Sequence, residues 1–421
     1  MSQSSKPSRV LIPLGFAVCT SLFGDLSLYA VLVTQMDVVG LTVATVGVML
    51  GVNRLVRIPA NPLAGILADQ WGRRRLFLTG MVLGVISTSA YGLVHGFWPF
   101  LLSRMMWGIG WTLINVNGVA MALDISTNTN RGKLTGIYNA WMMIGFTGGP
   151  LLGGFLVDTI GFRTAMLVLA ACTLAGFIAV LFFLPETSPP RPEKTPRLTS
   201  ALLGERLRSV WARRAALLTQ HRGLVATSLL YLIMLFAGEG LVFSTVTLLL
   251  QRRMGDEVAV GALLIGVPTA AGILLGGRSL LSSLVGPVAG HLSDQKWGRL
   301  SVILLSLLLG AVSFVLLAFG NSLAVIVLGI VFSAVSVGTG LAILTAYLGD
   351  QTPPGRQGVV MGLYATVGDV GSMAGPFLAF ALAEVIELKW IYLTSVLIFV
   401  GGAGLVWLNR KYESAKQRVS E

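Results

Sequence analysis

Seven charged side chains stand inside long apolar runs of this sequence: Asp25, Arg54, Arg57, Arg104, Glu239, Arg278 and Asp369. A charge near the centre of a bilayer costs a few kcal/mol even on lenient scales, so charges retained there point to function. At a rise of about 1.5 Å per residue, Asp25, Arg54, Glu239 and Arg278 lie about 22–24 Å from one end of their runs. On the same count Arg57 and Asp369 lie at about 18 Å and Arg104 at about 30 Å. Acids and bases at one level on facing helices can pair, or line one aqueous cavity.

The chemistry that suits such a set is proton coupling. It needs a carboxyl group that is neutral in one state and charged in another. Burial favours the neutral form and a neighbouring arginine the charged one, so movement between those settings links proton uptake to conformation. Asp25 is the first candidate, with Arg54 or Arg57 as its switching partner. Glu239, between Gly238 and Gly240, is the second and also suits a cationic substrate; Asp369 is the third. The bland alternative is that each acid is permanently paired with an arginine and serves structure.

Arg54, Arg57 and Asn61 recur at i, i+3 and i+7 and share a helical face. Arginine presents a planar fork of donors, so this face, with Arg278, could hold an anionic group. Arg104, Gly108, Trp111 and Asn115 form a similar face on the fourth run. Tyr29, Tyr138, Trp141, Phe243 and Tyr364 are expected to form an apolar cavity wall with polar tips. Ordinary packing is the competing role for each.

The elements that must position these side chains follow from composition. Hydrophobic residues make up 54% of the chain and charged residues 11%, with a mean hydropathy of +0.81. Soluble domains carry about 25% charged residues, so most of this surface faces something other than water. A span needs roughly 20 apolar residues, and the 421 residues hold twelve. They are placed near 10–36, 41–68, 76–95, 98–124, 133–158, 163–184, 223–250, 258–291, 300–319, 322–349, 357–383 and 389–409. The run from 258 to 291 is longer than a membrane requires and is expected to tilt or to extend beyond it.

A net charge of +12 would suggest nucleic acid in a soluble protein. Here the basic residues sit between spans, on one side. With the N-terminus inside, 22 of the 30 Lys and Arg fall in cytoplasmic segments, while only Arg163, Arg252, Arg253 and Lys389 fall outside. That asymmetry is the positive-inside pattern; it predicts a multi-pass protein of the inner (plasma) membrane with both termini cytoplasmic. The first run starts near Val10 without a small-residue cleavage site, which reads as a retained span and not a signal peptide. Cys19 and Cys172 fall inside apolar runs and read as packing residues. His95, His221 and His291 make no metal constellation. There is no phosphate-binding glycine loop with lysine, and no nucleophile, base and acid group. No enzyme activity, metal or cofactor is expected.

Gly65-Ile-Leu-Ala-Asp69-Gln-Trp-Gly72-Arg73-Arg74-Arg75 lies between the second and third runs, and a worn copy recurs as Gly290-His-Leu-Ser-Asp294-Gln-Lys-Trp-Gly298-Arg299. Asp124, Arg131, Gly136, Tyr138 and Gly149-Pro150 recur as Asp350, Arg356, Gly362, Tyr364 and Gly375-Pro376. The chain is thus a duplication: 1–184 is an N-terminal six-helix bundle and 223–421 a C-terminal one, an all-α membrane protein of twelve transmembrane helices in two pseudo-symmetric bundles. Between them, 185–222 is a cytoplasmic linker. Its prolines discourage helix at first, and Ser200 to His221 then reads as a basic amphipathic helix on the cytoplasmic surface. Parallel halves with a substrate site between them at mid-membrane are a transporter architecture.

These residues resemble the major facilitator superfamily over essentially the whole chain. Gly65-x-Leu-Ala-Asp69-x-x-Gly72-Arg73-Arg74 is similar to its signature loop, and Arg104-x-x-x-Gly108-x-Gly110 to its span-four motif. Gly145-Phe-Thr-Gly-Gly149-Pro150-Leu-Leu-Gly153-Gly154 is similar to the span-five motif of its twelve-span drug:proton antiporters. The resemblance implies that Asp69 faces span eleven and Arg73 pairs with Asp124, holding the cytoplasmic side closed, with Asp294 and Arg299 as the second copy. It implies that the span-five glycines pack on span eight, and it links Arg104 to proton transfer. Together these predict a monomeric, proton-coupled secondary transporter that exports small amphiphilic molecules, multidrug-type efflux, by alternating access in the lipid bilayer. A carrier of an anionic metabolite or organic acid is the nearest rival, argued by Arg54, Arg57 and Arg278. A lipid flippase is the next. Nucleic acid is not an expected partner.

Overall fold

A computed structural model of the chain describes residues 7–127, 129–188, 200–220, 222–352 and 357–420. Twelve of its helices are long and apolar enough to cross a membrane. Spans 1 to 6 are Pro7–Val31, Val43–Trp71, Arg73–Leu93, Phe97–Asp124, Arg131–Ile160 and Phe162–Phe183. Spans 7 to 12 are Gly223–Met254, Val267–Trp297, Arg299–Phe319, Leu323–Gln351, Val359–Ala383 and Leu388–Leu408. In hydrocarbon a lone segment satisfies its backbone only as a helix. Side chains such as Phe182, Phe183, Leu284 and Leu397 are more than half exposed, as surfaces that face lipid are.

The duplication is legible in the packing. Span 1 packs on spans 5 and 6, span 2 on span 4, and span 3 on spans 4 and 6. In the second half span 7 packs on span 11, span 8 on span 10, and span 9 on spans 10 and 12. The halves meet through span 2 against span 11 and span 5 against span 8. The two signature turns correspond as well: Gly72 has φ +82° and Gly298 has φ +73°, conformations that glycine adopts without a Cβ penalty. Arg356 and the linker stretch 189–199 lie outside the described residues.

Two local structures depart from the expected helices. The run expected as helix from 258 opens as a β-hairpin, Glu257–Val260 paired antiparallel with Leu263–Gly266, and the helix starts at Val267. Gly261 turns the hairpin at φ +62°, Val258, Val260 and Ile265 favour strand, and Pro268 stands in the first turn of the helix, where its missing N–H costs nothing. Span 7 contains a π-helical stretch, Leu235–Val242, with Glu239 at its centre. Such wide turns concentrate at functional sites.

The two ends of the molecule differ. One face carries Arg73–Arg75, Arg131, Lys296 and Arg299 and is called the basic face. On the opposite, far face the halves touch closely: Gly47 and Gly51 of span 2 lie against Pro376, Phe377 and Phe380 of span 11, and Gly272 and Gly276 of span 8 against Pro150 and Thr147 of span 5. Thr247 Oγ1 donates to the Tyr29 carbonyl at 2.9 Å, joining spans 7 and 1. Toward the basic face, Gly65, Gly132, Gly136 and Gly290 have no described neighbour within 4 Å of where a Cβ would stand. The halves therefore converge at the far face and diverge toward the basic one.

Candidate functional site

The divergence leaves a cavity of about 720 Å³ between the halves, within the usual range for small-molecule sites. Its wall draws on both bundles: Arg54 and Arg57 from span 2, Asn139, Met143 and Phe146 from span 5, and Tyr231, Leu235 and Glu239 from span 7. Spans 8, 10 and 11 add Ser279, Ser282 and Ser283, Leu341 and Thr345, and Asp369.

Six of the seven intramembrane charges form three ion pairs. Arg104 pairs with Asp25, and both are buried. Its Nε also donates to the Met49 carbonyl at 2.6 Å. Asn53 Nδ2 donates to Asp25 Oδ1 at 3.3 Å, and the Arg104 guanidinium lies 5.7 Å from the centre of the Tyr91 ring. The partner of Asp25 is thus Arg104, and neither Arg54 nor Arg57. Span 1 starts at Pro7 and not near residue 10, which moves Asp25 to about 27 Å on the helical rise, close to the depth counted for Arg104.

Arg57 Nη2 stands 3.1 Å from Asp369 Oδ1, bridging the halves through spans 2 and 11. Asn61 Nδ2 donates to Asp369 Oδ2 at 3.1 Å, and Thr112 donates to Asn61 at 3.1 Å. Arg278 Nη1 stands 3.1 Å from Glu239 Oε1. Arg278 also donates to the Gly238 carbonyl at 2.9 Å and to Ser333 Oγ at 3.2 Å. Wherever a buried charge is held this way, removing its partner costs about 3–5 kcal/mol. Arg54 is the seventh charge. It lines the cavity and makes no ion pair among the described residues.

Of the expected aromatic wall, little faces the cavity. Tyr29 and Phe243 pack edge to face at 5.1 Å, and Tyr29 donates to the Leu50 carbonyl. Tyr138 is buried with its hydroxyl over Gly118, and Trp141 covers Gly15. Tyr364 stacks on Tyr231 at 3.5 Å, and it is Tyr231 that reaches the cavity. Asn115 lies outside the wall, and Arg278 is buried behind Glu239. Sequence patterning missed Tyr231 although it shares a face with Leu235 and Glu239 at four-residue spacing, a signal that was available. Asn53 and Tyr91 had none beyond polarity in an apolar run.

The span-five glycines also divide differently. Gly145, Gly149 and Gly153 lie against Leu22, Leu26 and Ser27 of span 1. The contact with span 8 is made by Gly154, which meets Pro268, and by the Thr147 and Pro150 carbonyls. Four-residue spacing marks one close-packed face but not which neighbour takes it.

At the basic face Arg73 pairs with Asp124 and donates to the Ala120 carbonyl at 2.7 Å. In the second copy Arg299 bridges Asp294 and Asp350. Asp69 is exposed and, among the described residues, makes no ion pair, since the halves diverge at Gly65. The linker contributes two residues that patterning missed. Glu186 accepts the backbone N–H groups of Arg73 and Arg74, capping span 3, while Thr187 donates to Asp124 at 3.1 Å. Burial opposes the Glu186 charge, yet these hydrogen bonds and those from Ser188 hold its carboxyl below the ordinary value. The helix Ser200–Gln220 touches spans 2 and 11. Its Arg214 is buried, donates to Thr366 Oγ1 at 2.9 Å and abuts Gly362.

A family model described as Major Facilitator Superfamily matches residues 14–278 and 266–421. The multidrug resistance protein MdtG of Dickeya zeae (strain Ech586) is 27% identical over 383 residues, covering 89% of this chain and 86% of its own. The crystal structure of the human organic anion transporter MFSD10 (TETRAN) superposes with a TM-score of 0.69 at 20% identity, over 96% of this chain and 100% of that one. A bacterial homolog of the human lysosomal transporter Spinster, in an inward-facing and unoccupied conformation, gives 0.75 at 19% identity, over 96% and 97%. At these identities the structural likeness speaks for the fold.

Proposed function

The chain belongs to the major facilitator superfamily, and on that footing we propose that it is a proton-coupled secondary transporter exporting small amphiphilic molecules by alternating access. The basic face is cytoplasmic by the charge asymmetry, which puts both termini in the cytoplasm of a cell bounded by an inner (plasma) membrane. The arrangement described is then the inward-facing one, able to take cargo from the cytoplasm. The chain works as a monomer, because one copy supplies both walls of the cavity.

The observation that carries this reading is the set of three intramembrane arginine–carboxylate pairs, of which Arg57–Asp369 and Arg278–Glu239 border the cavity between the halves. Asp25 and Arg104 are buried together beside span 2. A proton delivered to Asp25 would release Arg104 from its partner and leave a buried cation, whose cost falls only if the helices shift. Arg57 and Asp369 hold span 2 to span 11, so their pair changes whenever the halves rock. The Arg73–Asp124 pair is bolted to the linker through Glu186 and Thr187, and the resemblance of the signature loop supports an engagement of Asp69 with span 11 in the closed state. The resemblance to MdtG, a multidrug resistance protein, supports export.

The test is reconstitution of the full chain in liposomes with an imposed pH gradient and a fluorescent amphiphile. Uptake that needs the gradient and stops with a protonophore is the expected result; uptake indifferent to both contradicts proton coupling. A second reading, carriage of an organic acid or other anionic metabolite, is favoured by Arg54, which lines the cavity and makes no ion pair among the described residues.

A further inference from the structure

We infer that Arg54 anchors a substrate subsite for one negative charge, so that the preferred cargo is a monoanionic amphiphile: a carboxylate, sulfonate or phosphodiester group on an apolar body. The inference rests on the transport reading and specifies its cargo.

Counted over the seven intramembrane charges, four arginines stand against three acids, while the cavity lining itself carries Arg54 and Arg57 with Glu239 and Asp369. Arg57, Arg104 and Arg278 are each held by one acid, Asp369, Asp25 and Glu239. Arg54 lines the cavity and remains as a single excess cation. A multivalent anion would exceed that charge, and a cation would have to displace an arginine already paired. Arginine's fork of donors suits an oxyanion. The duplication sharpens the point, for the positions equivalent to Arg54 and Arg57 in span 8 are Ser279 and Ser282, which face the same cavity. One wall therefore presents arginines and the other serine hydroxyls, of which that of Ser279 donates to the Leu275 carbonyl and is left able to accept. Met143, Phe146, Leu235 and Leu341 provide an apolar surface for the body.

The experiment measures binding of three probes with the same aromatic body to the full chain in nanodiscs: 2-naphthalenesulfonate, its sulfonamide, and a naphthyl trimethylammonium. The sulfonate is expected to bind roughly ten- to a hundredfold more tightly than the other two, the range for a charge-assisted hydrogen bond. Arg54→Gln should erase that preference while the sulfonamide binds as before, and Arg54→Lys should keep part of it. Equal binding of the three probes by the unaltered chain overturns the inference, as does a preference that survives in Arg54→Gln. Should Arg54→Gln fail to fold, the selectivity of the unaltered chain and of Arg54→Lys decides. A lysophosphatidylglycerol arm separates sources: Arg54-dependent competition with the sulfonate assigns the subsite to a lipid headgroup, and its absence to a free organic anion. Gradient-driven uptake of all three probes alike sinks this inference and leaves the transport reading standing. Sulfonate-selective binding with no driven uptake does the reverse.

Discussion

The carboxylate of Asp158, at the end of span 5, accepts the backbone amide of Thr269 in the first turn of span 8 at 2.9 Å. Its pseudo-symmetric counterpart does the same: Glu384, just past span 11, accepts the amide of Ala44 in the first turn of span 2 at 2.9 Å. Each acid caps a helix belonging to the opposite half, so the far face is closed by two carboxylates at helix N-termini. Such caps contribute about 1 kcal/mol each, and both must break when that face opens.

Removing them should therefore favour the outward-open state. With Asp158→Ala and Glu384→Ala combined, about 2 kcal/mol is lost, roughly a thirtyfold shift in the equilibrium. Spin labels at Val38 and Val385, exposed at the far face on opposite halves, report it in a Cys19→Ser, Cys172→Ser background. A new long-distance population is expected. An unchanged distance distribution means that the caps do not set the balance.

The linker helix should act at the other end. Arg214 occupies span 11 at Gly362 and Thr366, on the span that Asp69 engages in the proposed closed state. Arg214→Ala should undock Ser200–Gln220, speeding tryptic cleavage at Arg206, Arg208 and Arg213 severalfold and easing closure. Equal cleavage rates in the two proteins would show that the helix is not held by this contact.

Glu186 predicts a pH dependence. Its carboxyl is held below the ordinary value of 4.5 by hydrogen bonds from Ser188, Arg74 and Arg73 that outweigh desolvation. The stability it contributes is present above that value and is lost as pH falls through the lower, folded one. Because the side chain is exposed, the effect is small, about 2 °C in melting temperature at most. Melting curves from pH 3 to 7 should show this loss in the unaltered chain and not in Glu186→Gln; a parallel loss in both would place it on another group.

The sequence made the spans, their duplication and the intramembrane charges legible, because charge in hydrocarbon and glycine in a tight turn each have a single physical reading. Depth counting put Arg57 level with Asp369 and Glu239 level with Arg278, which do pair, but assigned neither pairing and gave Asp25 to Arg54 or Arg57 instead of Arg104, where a three-residue error in a helix start shifts the level by about 4.5 Å. The aromatic wall was illegible for another reason: Tyr29, Tyr138, Trp141 and Tyr364 each satisfy the same pattern whether they face a cavity or a neighbouring helix. The hairpin at 257–266 was hidden because four-residue apolar strands inside a long apolar run carry no period distinguishable from helix. Linker contacts such as those of Glu186 and Arg214 join residues far apart in sequence, with no spacing to betray them.

The central claim is that protonation at Asp25 drives the change of state, and liposomes containing Asp25→Asn test it most directly. Uptake of a fluorescent amphiphile driven by a pH gradient should fall to background, while substrate-for-substrate counterflow persists and so certifies a folded protein. Gradient-driven uptake in Asp25→Asn equal to that of the unaltered chain would contradict the account.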